Sequence, residues 1–194
     1  MPETTTGRRE RKKAQTRQAL ADAALRLFTE RGFDNVGVRE VAEAADVSLS
    51  TLFKHFPSKE ALIFDLDADI ESALVSAVRD RAPGQSVLHA LRDHMASTRT
   101  AVPADDPMFT LVESTPALRE YARRMWSRHE ESLAAALADA TGLAADDPAV
   151  AGLARFALEA PGVARTSEDP ARTVRELFAL LENGWATTPL ADGR

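Results

Sequence analysis

Apolar residues recur along most of this chain at the three- and four-residue intervals of a helix, and no segment shows the two-residue alternation of a strand. Between Val38 and Phe56 the pattern resolves into two short helices joined by a tight turn. Val38, Val41, Ala42 and Ala45 share one helical face, Asp46-Val47-Ser48 interrupts it, and Leu52, Phe53 and Phe56 give the next segment its own apolar side. Ser48 is placed to cap that second segment, because its hydroxyl accepts an orphan backbone N–H of the first turn. Ser48, Leu49, Ser50, Thr51, Lys54 and His55 are left facing outward. An inward apolar strip with an outward row of small hydroxyls and a cation suits a helix that enters a DNA major groove. The stretch reads as a helix-turn-helix.

The same periodicity places the other elements. A helix running to Arg31 buries Leu20, Ala24, Leu27 and Phe28, and Gly32 ends it. Gly37 stands at the cap of the second helix, and Pro57 stops the third. Ser58 caps a long fourth helix with the stripe Leu62, Ile63, Leu66, Ile70, Ala73, Leu74, Ala77 and Val78, ending before Pro83-Gly84. Further helices follow over Ser86–Thr98, Pro107–Val112 and Pro116–Ala140, with the loop TAVPADD between the first two of these. Asp147-Pro148 and Asp169-Pro170 are two cap-then-proline start signals. The stretch PGVARTSED between their helices reads as a loop, and Trp185 falls on the stripe of the last helix. The expectation is an all-α chain of about nine helices: residues 1–57 form a basic arm and a three-helix head, and residues 58–194 a helical body whose first part, 58–82, is a connecting helix.

Composition narrows this picture. With 194 residues, 44% hydrophobic and 28% charged, the chain has an ordinary globular make-up. It has no cysteine, which excludes disulfides and thiolate metal sites. It also lacks a long apolar run and a secretory h-region, so no membrane contact and a cytoplasmic location are expected. The net charge of −6 is uneven: residues 1–60 carry 11 Lys/Arg against 9 Asp/Glu, and the remainder carries 13 against 21. A basic head on an acidic body suits a reader of a polyanion. The run RRERKK with Arg17, behind an MPETTTG that reads as disordered, is either a solvated helix start or frayed arm, or an arm that reaches phosphates or the minor groove. Asp65, Asp67, Asp69 and Glu71 form a solvated acidic face. A metal site there is the lesser reading, since no histidine lies at ligand spacing within that helix, so no metal and no cofactor are expected.

The stretch ALRLFTERGFDNVGVREVAEAADVSLSTLFKHFPSKEAL resembles the DNA-binding domain of the TetR family of bacterial repressors, closely over residues 14–62. AQTRQALADAALRLFTERGFD with STLFKHFPSKEALIFDLD further resembles its mycofactocin-type (MftR-like) branch, described as acyl-CoA-responsive. The resemblance implies a homodimer on a double-stranded DNA operator, released by a small-molecule effector such as an acyl-CoA. It implies a DNA-binding set of Arg11, Lys12, Lys13, Arg39, Ser48, Leu49, Ser50, Thr51, Phe53, Lys54, His55 and Lys59. Here Phe53 replaces the family's usual Tyr, Gly37 its usual Ser or Thr, and Leu49 a basic or small polar residue, which removes two hydroxyl contacts to phosphate.

The implied effector pocket draws on Leu91, Met95, Met108, Phe109, Met125, Trp126, His129 and Phe156, the alternative being plain core. Arg119, Arg123, Arg124 and Arg128 stud the long seventh helix, either as solvated surface or as contacts to acyl-CoA phosphates. The implied dimer interface draws on Leu153, Ala157, Val174, Leu177, Phe178 and Leu181, each equally suited to core within the chain. No nucleophile elbow, P-loop, dinucleotide-binding glycine loop or HExxH motif occurs, so no catalytic residue is expected. The rival classes are an enzyme on a small apolar substrate and a helical module that binds protein.

Overall fold

The computed structural model describes residues 5–98 and 106–184, so Trp185 and most of the TAVPADD loop lie outside the described residues. Among the described residues there are nine α-helices and no strand. They are α1 (Thr5–Arg31), α2 (Val38–Ala44), α3 (Leu49–His55), α4 (Asp67–Arg79), α5 (Val87–Thr98), α6 (Pro107–Ser114), α7 (Pro116–Thr141), α8 (Pro148–Ala164) and α9 (Pro170–Asn183), with a 3-10 turn at Glu60–Leu62. The chain divides into two compact units, Met1–Asp67 with Asp105–Arg123 and Ala68–Ala104 with Arg124–Arg194.

In the first unit α1 packs on α2, on the 3-10 turn and on α6, and α2 packs on α3. The core is Leu20, Ala24, Phe28, Phe33, Val36, Val41, Leu52, Phe56 and Leu62, joined by Leu111, Val112 and Leu118 from α6 and α7. Phe28 and Phe33 meet edge to face, 5.0 Å between ring centroids, which folds the chain back after Gly32 adopts a φ of 84°.

In the second unit α9 lies against α5 and α8, and α5 against α8. Leu74, Val78, Leu91, Met95, Leu133, Leu137, Val150, Val174 and Phe178 form its core. Asp106, Asp147 and Asp169 each accept a backbone N–H in the first turn of α6, α8 and α9, with Pro at the next position, as the sequence pattern requires.

Three expectations are corrected. The fourth helix is not continuous from Ser58: a 3-10 turn comes first and α4 begins only at Asp67. Ala61, Leu62 and Ile63 are all buried, and three consecutive buried positions cannot share one face of an α-helix. Leu66, expected in the buried stripe, is 55% exposed. Second, PGVARTSED is not wholly a loop, because α8 continues through Pro161 to Ala164. Ala157, Ala160, Pro161 and Ala164 are buried together there, and that packing offsets the hydrogen bond a proline removes. Third, the MPETTTG lead is not wholly disordered, since α1 already includes Thr5 and Gly7; RRERKK itself is the solvated helix start of the plainer reading, exposed and helical without a break.

Candidate nucleic-acid interface

The outward face of α3 is built from its cap. Ser48 Oγ accepts the Thr51 N–H at 3.1 Å, and the same oxygen lies 2.9 Å from Ser50 Oγ and 2.8 Å from Thr51 Oγ1. The three hydroxyls therefore form one bonded cluster at the N-terminal end of the helix. Leu52 and Phe56, one turn apart, anchor the opposite side in the core. Phe53 was expected inward with them; it lies about 100° around the helix from Leu52 and is 51% exposed. Lys54 is exposed, while Leu49 and His55 are half-buried. Burial, with help from Arg17 and Lys13, pushes the His55 imidazole below its ordinary value.

The turn before α3 is held by backbone bonds, Asp46 N–H to the Glu43 carbonyl at 3.1 Å and Val47 N–H to the Ala42 carbonyl at 3.0 Å. Asp46 takes a φ of 53°, the left-handed region, in which Asp is better tolerated than most residues. Arg39, Ala42, Glu43, Val47, Ser48 and Leu49 line a shallow hollow where α2 meets α3, which places the exposed Arg39 beside the hydroxyl cluster.

Two cations prove to be structural clamps. Arg17 donates to the carbonyls of His55 at 3.0 Å and Asp65 at 2.5 Å, with its guanidinium 4.5 Å over the Phe56 ring. It ties α1 to the C-terminal end of α3, and no sequence signal assigned it that task. Lys59 Nζ donates to the Phe33 carbonyl at 2.5 Å and sits 4.1 Å from the Phe33 ring and 5.3 Å from that of Phe28. Burial lowers its affinity for its proton, against the pull of Asp34, Glu60 and Glu40. At α2 the Gly37 N–H is satisfied by Glu40 Oε1 at 2.9 Å, and Glu40 Oε2 meets Arg31 at 2.7 Å. That backbone bond first and Arg31 second hold the Glu40 carboxyl below its usual value.

Arg8, Arg9, Arg11, Lys12 and Lys13 are exposed along the first turns of α1, well before its first fully buried residue, Leu20. No acidic residue lies in the first turn of α1, so this cationic end opposes the helix dipole.

The residues named for a pocket and for dimer contact distribute as follows. Leu91, Met95, Met125 and His129 are buried, and Trp126 and Phe156 half-buried. Met108 packs against the first unit's core, and Phe109 is half-buried on α6 in that unit. Ala157, Val174 and Phe178 are fully buried within their own chain, Leu153 and Leu177 half-buried, and Leu181 is 48% exposed. No helix among the described residues is long and apolar enough to cross a membrane.

Residues 20–66 match the model of the bacterial regulatory proteins, tetR family. The chain is 33% identical over 152 residues to the transcriptional regulator TcmR of Streptomyces glaucescens, a match covering 73% of this chain and 67% of TcmR. A TetR-family regulator from Streptomyces coelicolor superposes with a TM-score of 0.61 at 24% identity, over 88% of this chain and 94% of the other. The repressor FadR of Thermus thermophilus, solved with lauroyl-CoA, superposes with a TM-score of 0.52 at 22% identity, over 89% and 96%.

Proposed function

The chain belongs to the TetR family of bacterial regulatory proteins, and from that membership we propose an effector-controlled repressor that binds a palindromic operator as a homodimer in the cytoplasm. One observation carries the reading: α3 presents the Ser48–Ser50–Thr51 hydroxyl cluster, Lys54 and Phe53 to the outside, in a unit that also carries the cationic start of α1. Two copies of α3 fit successive major grooves about 34–36 Å apart, or a multiple of it. Lys54, Arg39, Arg11, Lys12 and Lys13 set the register on phosphates, and Ser50, Thr51 and His55 face base edges. Hydroxyls already bonded to one another discriminate bases weakly, so operator shape and half-site spacing supply part of the specificity. Lys59 acts first as a clamp on Phe33 and contacts phosphate only with its remaining donors.

For the effector we propose an apolar small molecule, an acyl-CoA in the finer reading. Leu91, Met95, Met125, Trp126 and Phe156 of the second unit supply adaptable apolar surface. The ligand acts by binding the released form more tightly than the DNA-bound form.

A gel-shift assay on the promoter beside the protein's own gene tests the core of the proposal. Binding should weaken steeply as salt rises. Lys54→Ala should lower affinity on operator and random DNA alike, at an unchanged melting temperature. Undiminished affinity in that variant would remove α3 from the interface. Acyl-CoAs that neither shift the melting temperature nor release the DNA would exclude the finer effector class.

A further inference from the structure

The outward face of α3 is not uniformly polar. Counted from the buried Leu52 at about 100° per residue, Phe53 stands about 100° around the helix, Ser50 about 160° and Lys54 about 200°, so the ring adjoins the outward face. Leu49, one turn before Phe53, lies on the same side and is half-buried. Phe53 is the one aromatic among the large apolar side chains exposed in the described residues. Leu49 and Phe53 thus form a short apolar strip along one flank of α3, and Leu49 carries it to the hollow that it lines with Ala42 and Val47.

The hydroxyls of that face carry little sequence information. Ser48 Oγ lies 2.9 Å from Ser50 Oγ and 2.8 Å from Thr51 Oγ1. A hydroxyl both donates and accepts, and so pairs with any base edge. The cations around the strip limit what can cover it. Arg39 lines the same hollow as Leu49, Lys54 follows Phe53, and both are exposed. An apolar strip set among cations fits a polyanion that carries an apolar group, rather than the apolar face of another protein. In the major groove of a DNA duplex that group is the C5 methyl of thymine.

We infer that Phe53, supported by Leu49, reads thymine by covering its C5 methyl in the major groove. This rests on the operator-binding reading above. The contact separates A·T from G·C, and also T·A from A·T, because the methyl lies toward one strand. A ring without a hydroxyl at its tip can be buried against a methyl with no hydrogen bond to water given up. A homodimer makes the contact once in each half-site. Covering one methyl strengthens binding about four-fold, and two half-sites together give about ten-fold or more.

The test begins with the full-length protein selecting binding sites from a pool of random duplexes. Thymines of the selected site are then replaced by deoxyuridine, which keeps the pairing and the O4 acceptor and lacks only the methyl. Affinity in a gel-shift assay should fall about ten-fold or more when one symmetry-related pair of thymines is replaced. Phe53→Ala should bind the thymine duplex more weakly than the parent does, at an unchanged melting temperature, and should bind the uracil duplex as well as the thymine one. Leu49→Ala should shrink the uracil penalty; if that variant fails to fold, Phe53→Ala decides the matter alone. A selected site indifferent to uracil at every thymine, or a penalty that persists in Phe53→Ala, overturns the inference and leaves operator binding standing. A pool from which no sequence is enriched overturns operator binding itself, and this inference with it.

Discussion

Asp46 carries a backbone conformation that L-residues other than Asn and Asp resist, at the point where the chain turns from α2 into α3. Asp46→Gly should stay within about 1 kcal/mol of the parent, because relief at the turn offsets a more flexible unfolded chain. Asp46→Val should lose roughly 1–3 kcal/mol, read as a lower urea midpoint at unchanged slope. His55 gives a pH signature of definite sign. Its folded-state value lies below the ordinary 6.5, so as pH falls below 6.5 the unfolded chain takes up a proton that the native chain resists. Stability therefore falls toward the lowered native value, and a His55→Gln variant should show a flatter profile in urea melts between about pH 7.5 and 5.5. The sequence revealed Ser48 as a cap because its partner, Thr51, is three residues away. It hid Arg17 and Lys59 as clamps, since His55, Asp65 and Phe33 lie 26 to 48 positions off and periodicity is blind to such pairs.

At the level of elements, helices with a single apolar face and a cap were legible, and the departures share one cause. The Ala61–Ile63 run and the Ala157–Ala164 face are set by what packs around them, and a repeat count in one segment does not contain that information. The fourth-helix stripe fails at Leu66 because the chain reorients through the 3-10 turn before α4 starts. The start of α2 is a half-completed capping box, with Glu40 bonding back to Gly37 and no hydroxyl to answer it. Gly37 has a φ of −85°, and an added Cβ would meet Glu40 Oε1 at an ordinary 3.7 Å. Gly37→Ser should therefore raise stability by a few tenths of a kcal/mol, seen in thermal melts, and tighten DNA binding through the restored hydroxyl.

Over the whole molecule, the residues first named for dimer contact sort into those that build α8 and α9 and those left outside. Ala157, Val174 and Phe178 are consumed within the chain, whereas Leu181, 48% exposed, faces out; Val163, not among the residues named, is a second large apolar group facing out at 65%. In the proposed homodimer, Leu181→Asp with Val163→Asp should leave the far-UV spectrum intact while shifting sedimentation from dimer to monomer. A dimer that survives both changes would place the interface elsewhere. The uninterrupted course of α1 bears on recognition in another way. At 1.5 Å per residue its 27 residues form a rod about 40 Å long, rooted by Leu20, Ala24 and Phe28, with the cations of its first turns held on a stiff lever. A floppy arm surrenders chain entropy each time it docks, whereas a preformed one has already given it up in folding. Engagement of this end with DNA should therefore show only the heat-capacity change of rigid surfaces meeting, without the larger change of a segment that folds as it binds.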